Sequence, residues 1–351
     1  MRRKKKKIYF ILIITVVLIV SGFLFWKLGN RSVEIGHSEE SNNKNEQTNN
    51  EGVSPISGLK CENYNRRPIA VMLAEDPITR PLSGISQADL VIEMPVITGS
   101  ITRLMAVYIC EEPEEIGSVR SARHDFIPLA MGLDAIFAHW GGSHYALDKL
   151  NNGIIDNIDA MKNPYNAYSQ DWSKPMPHNG FTSMERLINA AQKLGYRLEN
   201  KFEGYPHIQI QSTNYKIQNT NGKLTIGYGG KYKVYYRYNS ETNTYKRWRG
   251  DAKEMDKNNN QQVEVSVVAV MRAESRMIEP PDYNDVDVEG EGEAIIYQNG
   301  EEIKGHWKKQ GKYSKAKLYF LDSKGKEIEF TPGKIWIEIV EPNTEIKWEI
   351  F

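Results

Sequence analysis

Pro68-Ile69-Ala70-Val71-Met72-Leu73 is an apolar run without a single charge. A run this short reads as a strand buried on both of its faces. Working outward, Ala88-Asp89-Leu90-Val91-Ile92-Glu93 predicts a second strand after a turn-rich stretch. Arg103 to Ile109 predicts a third, and Ala135-Ile136-Phe137-Ala138-His139 a fourth. Between them, Phe126, Leu129, Ala130 and Leu133 recur at helical spacing, which predicts a helix over 125–133. Ser143 is placed to cap a helix from His144 to Leu150. Ser183 to Leu194 predicts an amphipathic helix, with Met184, Leu187, Ile188, Ala191 and Leu194 on one face and Gly195 as its stop. Strands alternating with helices indicate an α/β layer domain over 59–205.

Beyond Pro206 the periodicity changes to two. Asn221-Gly222 and Asn299-Gly300 are strong hairpin signals, and Ser323-Lys324-Gly325 reads as a turn. Val263 to Met271 and Lys334 to Val340 are rich in β-branched and aromatic residues. Residues 206–351 are therefore expected to form a mainly β domain.

At the other end, residues 2–7 are all Arg or Lys and are followed by Ile8 to Trp26 without a charge. Such a stretch is about 28 Å long as a helix, close to the hydrocarbon core of a bilayer. A cleaved signal peptide would have a shorter apolar core and small residues after it, whereas large aromatics follow Ser21-Gly22. The expectation is one transmembrane helix within residues 1–29. The N-terminus would stay in the cytoplasm, and the ectodomain would be extracellular on the cell membrane. Residues 30–58, rich in Asn, Glu, Ser and Gln, predict a disordered tether. The expected fold class is thus an α/β N-terminal ectodomain plus a mainly β C-terminal domain, behind one transmembrane helix.

The formal net charge of zero conceals an asymmetry. Eight of the 45 basic residues lie in 1–31, where no acidic residue occurs, leaving 37 basic against 45 acidic groups beyond. That acidic remainder argues against nucleic acid as a partner. Cys61 and Cys110 fit no zinc spacing. Outside a cell they either pair or stand as two buried free thiols.

Three stretches of the first half concentrate unusual residues. Arg103 follows Thr102, and Arg120 and Arg123 lie in Gly117-Ser118-Val119-Arg120-Ser121-Ala122-Arg123-His124. Their spacing puts Arg120 and Arg123 on one side of a helical turn, so a helix starting near Ser121 would complete an anion site. The bland alternative pairs these arginines with Glu111, Glu112, Glu114 or Glu115. Next comes His139-Trp140-Gly141-Gly142-Ser143-His144, where paired glycines at a strand end let backbone approach a ligand. The third is Pro175-Met176-Pro177-His178-Asn179-Gly180, whose His178 and Asn179 could face that ligand or simply shape a turn.

Other patterns are incomplete. Gly-x-Ser-x-Gly and His-Glu-x-x-His are absent. Asp256 to Asn260 and Asp285-x-Asp287-x-Glu289-Gly290 begin like calcium loops but lack the closing Glu, and both read as solvated turns. No cofactor and no metal site is expected.

At several of these places the chain resembles the YerB-like family of Firmicute envelope proteins, catalogued as DUF3048. The resemblance rests on Arg67 to Met72, Ser86 to Val91, Ile101-Thr102-Arg103, Val119 to Arg123, Gly141-Gly142-Ser143 and Pro177-His178-Asn179. In the second half it rests on Tyr245-Lys246-Arg247, Gly290-Glu291-Gly292, Gly305-His306-Trp307 and Gly333 to Trp336. Departures are Val96 to Ser100, where the family usually has a Glu-Gly-Gly stretch, and His124, where proline is usual. The resemblance implies two domains and an envelope location, often as a lipoprotein, but carries no settled activity. The Arg-then-Gly-Gly layout is also similar in style to the LytR-CpsA-Psr wall phosphotransferases. The leading expectation is binding of an anionic cell-wall-related ligand. Arg103, Arg120 and Arg123 would hold the anion, and His139, Gly141, Gly142, Ser143, His144, His178 and Asn179 would shape the site. The alternatives are a wall phosphotransferase or hydrolase with a histidine base, and an envelope scaffold that binds a protein partner.

Overall fold

The computed structural model describes residues 52–97, 101–209, 217, 220–281 and 283–351. The apolar run that begins at Pro68 forms the fully buried strand Ile69–Leu73. It pairs antiparallel with Thr102–Tyr108 and parallel with Ile136–His139. Thr102–Tyr108 in turn pairs with Leu90–Pro95. The next partner comes from the far end of the chain, because Leu90–Pro95 pairs parallel with Ile335–Val340. That strand continues through Val267–Arg272, Gly290–Gln298, Glu301–Lys309 and Tyr319–Asp322. One sheet of ten strands therefore runs through both halves of the sequence.

This architecture corrects the expected fold class. The described residues are mostly β and contain three α-helices, Phe126–Gly132, His144–Asn151 and Met184–Lys193. The individual strands and helices of the first half form where periodicity placed them, but they do not close into an α/β layer domain of their own. The reason is that Leu90–Pro95 is buried on both faces and needs a neighbour on each edge, and the second half supplies one. Among the described residues no helix is long and apolar enough to cross a membrane. The expected transmembrane helix has no support there, and its residues 8–26 lie outside the described ones. Most of the expected tether and residues 98–100 lie outside them as well. The last part of that tether, 52–58, is built into the fold rather than disordered. Ile56 is fully buried in the core, and Ser54 and Ser57 donate to the Asp89 carboxylate.

Side chains alternate across the main sheet. Ala70, Met72, Val267, Ala269 and Met271 face a core shared with the helices Phe126–Gly132 and His144–Asn151. Ile69, Val71, Leu73, Val268 and Val270 face the other way, onto the helix Met184–Lys193 and a second sheet. Each fully buried Val, Leu or Ile adds roughly 1.5–3 kcal/mol. The second sheet orders Ala252–Lys253, Thr244–Arg249, Val234–Asn239, Gly222–Ile226 and Ile346–Ile350. Burial alternates strictly along Val234–Asn239 and Thr244–Arg249, which turns Tyr236, Arg247 and Arg249 toward the main sheet.

Caps and turns follow local chemistry with one exception. Ser143 and Ser183 each accept a backbone N–H at a helix start, from Ala146 and Arg186. Asn299 and Gly300 both take positive φ and join two long strands, as a two-residue hairpin turn requires. Asn221-Gly222 is not a turn. Gly222 is paired on both sides within a strand, and its missing side chain makes room for the Trp348 ring. Asp256, read as part of a solvated loop, is buried and accepts from the Gly84 and Ser86 amides and the Ser86 hydroxyl. Cys61 and Cys110 are joined in a disulfide with Cα atoms 5.7 Å apart.

Candidate functional site

Segment 118–122 runs across the strand ends of the first half. Ala74 donates to Ser118, Arg120 to Met72, and Trp140 to the Arg120 carbonyl. Ala122 donates to Gly141, and Ser143 to Ala122. Of the backbone N–H groups that a helix beginning near Ser121 would have left free, that of Ala122 is thus taken by the Gly141 carbonyl. The helix starts at Phe126 instead, so no helix terminus faces the arginines.

The arginine side chains do converge. Arg103, on the strand Thr102–Tyr108, is 4 % exposed. Burial, then the neighbouring Arg120 and Arg123 charges, push its guanidinium down to about 9. Its Nη1 donates to the Ser121 carbonyl at 3.4 Å, while its Nε finds no hydrogen-bond partner among the described residues. Arg120 donates to the Pro177 carbonyl at 3.2 Å and has Asp76 at 4.0 Å. The Arg123 guanidinium lies 4.9 Å from the centre of the Tyr283 ring. Three cations thus share one partly desolvated place, with the Asp76 carboxylate as an opposing charge.

His178 and Asn179 adjoin this cluster. His178 Nδ1 is 3.9 Å from Asp76 Oδ2, and burial and the Arg120 charge hold the imidazole below its usual range. Asn179 is buried, and its amide nitrogen has no partner among the described residues. A cavity of about 310 Å³ opens here, lined by Arg120, Ser121, Trp140, Gln170, Met176 and Asn179.

The Gly-Gly stretch divides differently. His139 is turned into the core, with Nδ1 2.8 Å from the Gly141 carbonyl and Nε2 3.2 Å from Asn157 Oδ1. Gly141 takes a left-handed turn (φ 61°) and donates to Asp159 Oδ1. Gly142 bridges Ala122, and the Ser143 hydroxyl caps its helix. His144 is exposed on the outer face, 3.2 Å from Glu279 and packed on Tyr145 and Tyr283. Of the ten expected site residues, Arg103, Arg120, Arg123, His178 and Asn179 cluster, while the others build the platform or lie outside it.

A second cluster went unpredicted. Glu93 and Glu338, both fully buried on the main sheet, face Arg247 and Arg249 of the second sheet. Arg247 also pairs with Glu254, and Arg249 and Arg80 pair with buried Glu75. Tyr236 and Tyr228 donate to Glu338 at 2.6 and 2.9 Å. Burial, then the Glu93 charge, push Glu338 up to about 7. The available signal was a single carboxylate in each of two otherwise apolar strands, Glu93 in Leu90–Pro95 and Glu338 in Ile335–Val340.

Fold and site together define a two-sheet protein with a cationic pocket at one strand end and an ionic seam between the sheets. The chain matches "Protein of unknown function (DUF3048) N-terminal domain" over residues 56–197 and the corresponding C-terminal domain over 224–337. It is 34% identical over 294 residues to "Putative lipoprotein YerB" of Bacillus subtilis (strain 168), covering 82% of this chain and 86% of the relative. The crystal structure of the YerB protein from Bacillus subtilis is similar at TM-score 0.74 and 30% identity, covering 84% of this chain and 99% of that one. The chain belongs to the DUF3048 family.

Proposed function

We propose that this protein binds an anionic, cell-wall-related ligand outside the cytoplasm, with Arg103, Arg120 and Arg123 as the anion holders. The observation that carries the reading is Arg103, a nearly buried guanidinium that faces two further cations and whose Nε has no hydrogen-bond partner among the described residues. Burying like charges together is costly unless an anion joins them. Asn179 adds a buried polar group and Trp140 an aromatic wall to the cavity that Arg120 lines, and His178 adjoins Arg120 and Asp76. The Cys61–Cys110 disulfide supports an oxidising, extracytoplasmic location, as does the lipoprotein description of the Bacillus relative. Binding is favoured over turnover with His139 as base, because both of its ring nitrogens are engaged.

The test is a thermal-shift titration of the full chain with inorganic pyrophosphate and a soluble nucleotide-linked wall precursor. A probe at a hundred times its dissociation constant adds about 2.7 kcal/mol of stability. The expected result is a shift that Arg120→Ala abolishes. No shift with either probe, or one that Arg120→Ala leaves unchanged, sinks the reading.

A further inference from the structure

Outside the arginine pocket and the seam between the sheets, a third set of titratable groups converges on His124. Its Nε2 lies 3.0 Å from Asp125 Oδ1 and 3.1 Å from Asp285 Oδ1. His124 and Asp125 are both nearly buried. One imidazole nitrogen carries at most one hydrogen, which cannot point at two oxygens at once. The two carboxyls also touch each other. Three ligand atoms therefore meet within 4.8 Å of one another, drawn from the two halves of the sequence.

We propose that His124, Asp125 and Asp285 form a binding site for one divalent transition-metal ion, of the Mn²⁺ or Zn²⁺ type. Bonds of about 2.1 Å at right angles put neighbouring ligand atoms about 3.0 Å apart, close to the spacing found here. A mixed imidazole and carboxylate set suits these ions better than Ca²⁺, which takes oxygen alone. The outer contacts suit the role too. Arg276 holds the other Asp285 oxygen and binds Asp287 at 2.9 Å, leaving Oδ1 to face His124. A route from solvent exists, because Asp125 and Asp285 line a cavity of about 370 Å³ with Asp287, Glu289 and Tyr313. The site stands apart from the anion reading, since it needs none of Arg103, Arg120 or His178. Its consequence is structural as well, because the ion ties the ribbon of Ser275–Glu279 and Tyr283–Val286 to the residues ahead of the helix Phe126–Gly132.

The test uses the untagged full chain stripped with EDTA, dialysed and titrated with Mn²⁺, following the spectrum of the free aquo ion. Zn²⁺ is measured by competition. The expected result is one ion per chain, weakened at least tenfold in both Asp125→Asn and Asp285→Asn at unchanged circular dichroism. Asp285 sits on the ribbon and is partly exposed, so Asp285→Asn decides the matter if Asp125→Asn fails to fold. Absence of binding at millimolar metal, or binding that Asp285→Asn leaves intact, overturns the proposal.

Discussion

The guanidinium carbon of Arg247 lies 4.0 Å from the centre of the Trp336 ring, and both side chains are fully buried. Arg247 belongs to the second sheet and Trp336 to the central strand of the first. A desolvated cation over an indole is worth about 2 kcal/mol. The same guanidinium meets Glu93, Glu254 and Glu338, so one side chain joins two layers and both halves of the sequence.

Removing that side chain strands carboxylates in the core. Arg247→Ala is expected to destabilise the protein by about 3–5 kcal/mol, the usual result of breaking a buried pair from one side. Arg247→Lys should recover only part of this, because an ammonium cannot reproduce the planar fork. Urea unfolding followed by circular dichroism measures both; a loss under 1 kcal/mol in Arg247→Ala would show that the seam is dispensable.

Glu338 makes stability depend on pH. Its carboxyl is raised to about 7 in the fold, so the native state holds a proton that the unfolded chain releases near 4.5. That contribution is fully present below about pH 4.5 and is lost as pH rises toward 7, by about 3 kcal/mol at most. Glu338→Gln should flatten the urea midpoint against pH across this window. A wild-type midpoint that rises from pH 5 to 7 by the same amount in both proteins would contradict the assignment.

Arg103 gives a sign that separates binding from structure. Arg103→Met removes a buried charge facing two others, so the free protein should melt at the same temperature or higher, by the equivalent of about 1–2 kcal/mol. Pyrophosphate should no longer shift the melt. A variant that melts far lower would mark Arg103 as a structural cation.

The disulfide closes a long loop between Cys61 and Cys110, 49 residues apart. Chain-entropy reasoning puts its contribution at about 4 kcal/mol. Cys61→Ser and Cys110→Ser should each lower the melting temperature, and reductant should lower the wild type while leaving both variants unchanged. Equal melting of oxidised and reduced wild type would refute this.

Much of the candidate site was legible in advance, though not its logic. Arg120 and Arg123 are near neighbours in sequence, and Arg103 sits on a recognisable strand, so their grouping needed little tertiary information. His139 misled, because an imidazole at a strand end reads alike whether it points in or out. Only the register against Asn157–Asp159 and the Gly141 turn decides that it faces the core. Asp76 was missed as a charge opposite the arginines, because it comes from a loop distant in sequence. Glu93 and Arg247 are separated by 154 residues, and no local pattern links them.

Periodicity and capping by themselves determined where strands and helices form, from Ile69–Leu73 to Met184–Lys193, because those choices rest on neighbours within a few residues. What only the tertiary structure decided was which strands pair. Leu90–Pro95 could satisfy its open edge with any strand of suitable register, and backbone hydrogen bonding carries no address of its own. The pairing with Ile335–Val340 brings Glu93 and Glu338 beneath Arg247, whose guanidinium meets both carboxyls away from water.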